Sequence, residues 1–115
     1  KFKQLNMPNS LDLFSAGETP ALHVAKLAAG FILKEKPNLT FIHFADTDNA
    51  GHSFGWGSDE QKRAFADQDA ALQVLRKAVA AAGIENDSVF ILTADHGGHG
   101  YGHGTTELDD MHIPW

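Results

Sequence analysis

The residues best equipped for chemistry fall in two short stretches. One is Asp46-Thr47-Asp48-Asn49-Ala50-Gly51-His52. The other runs Asp95-His96-Gly97-Gly98-His99-Gly100-Tyr101-Gly102-His103-Gly104. Each stretch offers carboxylates and imidazoles, and the chain has no cysteine, so sulfur ligands, disulfides and a thiol nucleophile are excluded. Oxygen and nitrogen donors without sulfur suit zinc, manganese or a similar divalent ion. Five of the eleven glycines lie within Gly97–Gly104. Glycine there permits tight turns and close approach of the backbone to a bound anion. Either stretch alone is a weak signal, because Asp-x-x-x-His recurs by chance and Gly-rich histidine loops are often plain turns. Two of them, each directly after an apolar run, point to a metal site.

The distribution of charge agrees. Nine Lys and Arg stand against fifteen Asp and Glu, a net charge of −6, and the last cation is Lys77. Residues 1–77 balance, so the whole excess comes from Glu85, Asp87, Asp95, Glu107, Asp109 and Asp110. His96, His99, His103 and His112 share that stretch. The balance argues against a basic nucleic-acid surface. No apolar run approaches the roughly 20 residues of a membrane helix, and no signal-peptide h-region is visible. Cysteine content leaves the compartment open.

The surrounding pattern says which elements must position these groups. The 115 residues suffice for one small domain. Thr19-Pro20 reads as a helix cap followed by proline at the first helical position, and Lys36-Pro37 as the stop. Val24, Leu27, Ala28 and Phe31 supply the helical repeat between them. Residues 39–44 and 88–93 are short, nearly continuous apolar runs, the pattern of strands covered on both faces in a parallel sheet. Between them, Ser58 and Gln61 fit a capping box, opening a helix to about residue 82 with Phe65, Leu72, Leu75 and Val79 on one stripe and Gly83 at its end. Met111–Trp115 reads as the start of a third strand. Strand, helix, strand predicts parallel pairing with a right-handed crossover. Segments 45–57 and 94–106 would then share one edge of the sheet, where open α/β sheets bind ligands.

The motif Asp48-x-x-Gly51-His52, followed by Thr93-x-Asp95-His96-Gly97-Gly98 and His103-Gly104, resembles the alkaline phosphatase superfamily. The match is to the type I phosphodiesterase/nucleotide pyrophosphatase family in its bacterial branch, which Gly55-Trp56-Gly57-Ser58 and Ile113-Pro114-Trp115 also resemble. The resemblance runs over about residues 20–115. It implies a three-layer α/β/α fold around a parallel sheet, here a partial domain, with residues 1–115 as its C-terminal portion. It implies hydrolysis of a small phosphorylated substrate with two divalent cations, zinc or alternatively manganese. Asp48, His52 and His103 then resemble the ligands of one ion, and Asp95 with His96 half the ligands of the other. The family's Ser or Thr nucleophile has no counterpart, since Ser10, Ser15, Thr19 and Thr40 lack the strand-then-helix context. No catalytic residue is therefore assigned, and the isolated chain is expected to be inactive. Two cations roughly 3.5–4 Å apart can clamp a phosphate between attacking and leaving oxygens. The resemblance points to a periplasmic or secreted location by analogy alone, and the sequence itself leaves the compartment unknown.

Neighbouring residues compete for these roles. Asp46 is an alternative to Asp48, and His112 to His103. His99 reads as a solvated loop histidine, and His43 as a hydrogen-bonded core residue. Asp69 falls on the apolar stripe, either paired or at its wet edge. Trp56 and Tyr101 could flank a substrate, although packing is the commoner job for either. A phosphomutase or sulfatase would share these motifs, and a non-catalytic metal-binding fragment is the reading from another class.

Overall fold

Small side chains recur where two helices must approach closely. Helix α1 (Ala21–Glu35) buries Ala21, Ala25, Ala29 and Ile32, one stripe of a 3.6-residue period. Helix α3 (Asp59–Ala81) buries Ala71, Leu75, Ala78 and Val79. The two helices pack on each other through these residues, joined by Ala82. The structure is a computed structural model and describes residue 15 and residues 20–114. Between α1 and α3 lies helix α2 (Asp46–Phe54), which packs against α3. A 3-10 turn (Glu85–Asp87) and the short helix α4 (Leu108–Met111) follow α3. Among the described residues, no helix is long and apolar enough to cross a membrane.

Local signals explain the ends of the helices. Ser58 Oγ accepts the Gln61 N–H at 3.2 Å, and Gln61 Oε1 accepts the Gly57 N–H at 2.7 Å, one residue earlier than a capping box reaches. Gly83 takes φ 71°, and the Ile84 N–H returns to the Val79 carbonyl at 3.3 Å, so α3 ends as expected. α1 stops at Lys36, which adopts φ 47° and donates to the Ile32 carbonyl at 3.1 Å. Its start differs from the sequence reading. Pro20 occupies the cap position, Thr19 lies outside the described residues, and the Ala21 N–H is taken by Asp46 Oδ1 at 3.0 Å. A carboxylate from α2 thus satisfies a donor that α1 leaves open.

The expected parallel-sheet, three-layer α/β/α fold is not seen. Residues 39–45 and 88–94 form no strands, and among the described residues β-type pairing is confined to an isolated antiparallel bridge between His99 and Gly102. Leu39 is 88% exposed and Val89 86%, so these runs are not covered on two faces, and His43 lies on an exposed stretch rather than in a core. An apolar run encodes a tendency to be covered, whereas a strand needs neighbouring strands to take its N–H and C=O groups. Neither run pairs with the other here; the helices pack directly on one another instead. The anticipated third strand is also replaced, since Met111 closes α4.

Two apolar stripes shift as a consequence. Leu27 and Phe65, expected inward, are 52% and 58% exposed, because alanine rather than large side chains lines the α1–α3 contact. Asp69 is exposed.

Candidate metal centre

Segment 45–57, expected as a loop, is mostly helical, and this places Asp48 and His52 one turn apart on α2. Asp46 and Asp48 sit in its first turn, where the helix dipole favours carboxylates. His52 Nε2 lies 3.4 Å from Asp48 Oδ1, and His103 Nε2 lies 3.5 Å from the same oxygen. His96 Nε2 approaches it at 3.8 Å. These separations exceed good hydrogen bonds. Asp48 Oδ1 is buried and has no hydrogen-bond partner. Potential ligand atoms of Asp48, His52 and His103 all lie within 4.8 Å of one another.

The histidine rings are fixed from behind. His52 Nδ1 faces the Tyr101 carbonyl at 2.9 Å, and His96 Nδ1 faces the Gly97 carbonyl at 2.8 Å. Each ring therefore donates from Nδ1 and leaves the Nε2 lone pair directed to the cluster, the arrangement metal-binding histidines use. His96 and His103 stack at 3.6 Å between centroids. Asp95 is at the outer side, its side chain 61% exposed and its Oδ1 3.7 Å from His96 Nε2. Asp48, His52, His96, His103 and Asp95 are thus brought together, with His96 between the two carboxylates rather than apart with Asp95. Asp46 is turned away to cap α1, and His112 is not a member of the three-residue group.

The Gly-rich segment is anchored by α4. Gly97 and Gly98 donate to the carbonyls of Asp110 and Asp109 at 2.8 and 2.7 Å. The Asp110 carboxylate, buried at 3% exposure, takes His99 Nδ1 at 2.8 Å, the Thr105 N–H at 2.7 Å and the Thr105 hydroxyl at 2.8 Å. The Thr105 amide, with His99, draws the Asp110 carboxyl down to about 2, against an ordinary 3.8. The hydrogen bond to Asp110 raises His99 above its ordinary 6.5. His99 is therefore paired rather than a free loop histidine. The sequence reading missed Asp110; its place in the acidic run just after the His-Gly loop was the available signal.

A lone buried carboxylate oxygen facing imidazole nitrogens fits a divalent cation, because an acceptor buried without a donor is costly unless something else satisfies it. The family model for type I phosphodiesterase / nucleotide pyrophosphatase matches residues 5–112. The chain belongs to this family. No solved structure matches it. A small phosphorylated substrate fits a type I phosphodiesterase / nucleotide pyrophosphatase, and the Asp48, His52 and His103 group is the candidate ion site on this member of it.

Proposed function

We propose that these 115 residues form the C-terminal, metal-binding portion of a domain that hydrolyses phosphodiesters or pyrophosphates with two divalent cations, zinc or manganese. Asp48, His52 and His103 bind one ion; Asp95 and His96 contribute to the other. The observation that supports this most is the orphaned Asp48 oxygen within reach of two imidazole nitrogens from different segments. Bound divalent ions would supply charge for a phosphoryl oxygen and lower the pKa of an attacking hydroxyl. The chain's own part is orientation. The Tyr101 carbonyl fixes the His52 tautomer and ring plane, and α4 fixes the loop that carries His103. The nucleophilic hydroxyl is assigned to a segment outside these residues.

Calorimetric titration with zinc and with manganese tests the reading. Saturable binding is expected, weakened at least about tenfold by His52→Ala and by Asp48→Asn, as loss of groups around a metal requires. Unchanged affinity in both variants would remove the site.

A further inference from the structure

Trp56 occupies a position that neither motif predicts. It lies between Gly55 at φ 96° and Gly57 at φ 81°, conformations that side chains other than hydrogen rarely allow. That turn sends the chain back from the end of α2, so that the Trp56 N–H donates to the Gly100 carbonyl at 2.8 Å. The indole then fills the gap between the two metal-ligand segments. A Cβ placed on Gly51 of α2 would lie 2.7 Å from Trp56 Cε3, and one on Gly98 of the loop 2.1 Å from Trp56 Cε2. Both backbones therefore rest directly on the ring.

The same indole meets the imidazoles themselves. Its ring lies 5.1 Å from that of His52 at 87°, and 5.8 Å from that of His103 at 64°, both edge-type contacts. One residue thus touches a candidate ligand from each segment and the glycine beside or near each.

We infer that Trp56 is a positioning residue of the metal centre, a wedge whose thickness sets the spacing of His52 and His103. This rests on the metal-centre reading above. The ligand atoms need placement to a few tenths of an ångström, and the indole supplements the hydrogen bonds to Gly100 and Tyr101 that join the two segments here. Gly51 and Gly98 are glycine, on this account, because the ring occupies the space of their side chains.

The test uses the purified protein and three quantities: zinc affinity by competition, the visible absorption spectrum of bound Co2+, and the melting temperature without metal. Trp56→Leu should weaken zinc at least about tenfold and change the Co2+ band shape, which reports ligand geometry. Trp56→Phe, which keeps an aromatic edge, should recover most of the affinity and of the spectrum. Gly98→Ala should weaken zinc by pushing the indole aside. Adding Trp56→Leu to Gly98→Ala should then cost little more, a non-additive pair. A folded Trp56→Leu protein with wild-type zinc affinity and Co2+ spectrum, whatever its melting temperature, overturns the positioning role alone; should that variant fail to fold, a folded Gly98→Ala protein with wild-type affinity and spectrum overturns it. Wild-type protein that binds no zinc overturns the metal-centre reading and this role with it.

Discussion

His99 Nδ1 lies 2.8 Å from Asp110 Oδ1, and the partner oxygen of the same carboxylate holds Thr105 through both its amide and its hydroxyl. Positions 99 and 105 bracket His103, so one buried carboxylate closes the loop on which that histidine is carried. This contact gives the loop its own pH dependence. The Asp110 carboxyl is lowered to about 2, so its contribution is complete above its unfolded value of 3.8 and is lost as pH falls from there through 2. His99 is raised above 6.5, so its contribution is complete below 6.5 and is lost as pH rises through the higher folded value. The loop should be most stable between about pH 4 and 6.5. Asp110→Asn should lower the melting temperature and flatten its acid limb. Thermal melts from pH 2 to 9 read this directly, and an unchanged acid limb would contradict it.

The two aspartates of α2 should separate by function. Asp46→Ala removes the acceptor for the Ala21 amide and should cost about 0.5–2 kcal/mol, the range for a lost helix cap. It should leave zinc binding intact. Asp48→Asn should do the reverse, removing binding with little loss of stability in the metal-free protein. Denaturant melts beside metal titrations distinguish them.

Close approach of α1 and α3 depends on alanine. Ala25 and Ala71 are fully buried. Ala71→Leu should cost about 1–3 kcal/mol through overpacking. Leu75→Ala, which leaves a cavity, should cost about 2–5 kcal/mol. In a core this lean, either loss should be visible as a large drop in the urea midpoint. Ala71→Leu at wild-type stability would mean that the helices are not in contact there.

Activity should be absent from the 115 residues alone. A chromogenic diester with zinc or manganese should give background rates, since the nucleophile is assigned elsewhere. Turnover that disappears in His52→Ala and on adding a chelator, and returns with metal, would place a complete active site within this chain.

The apolar run at 88–93 should promote self-association, because Val89, Ile91 and Leu92 expose most of their apolar surface. Val89→Lys and Ile91→Lys together should raise solubility without lowering the melting temperature, as both side chains are largely exposed. Light scattering against concentration is the measurement.

Local features of this protein are determined by its sequence alone. The Ser58–Gln61 cap, the Gly83 terminus and the stop at Lys36-Pro37 each concern groups within about one helical turn. The Asp48-x-x-Gly51-His52 and Asp95-His96 motifs likewise mark the family without any knowledge of the chain path. What the apolar runs at 39–44 and 88–93 would pair with was not legible, because strand pairing depends on segments far apart in the chain. The helical state of 46–54 was obscured by its polar composition, although acidic residues at its start are a helix signal. Only the tertiary structure decided that Trp56 fills the space over Gly51 and Gly98, that Asp46 caps α1, and that Asp110 captures His99. Each of these joins groups from separate segments, and its energy depends on ångström-scale placement that residue types and local spacing do not specify.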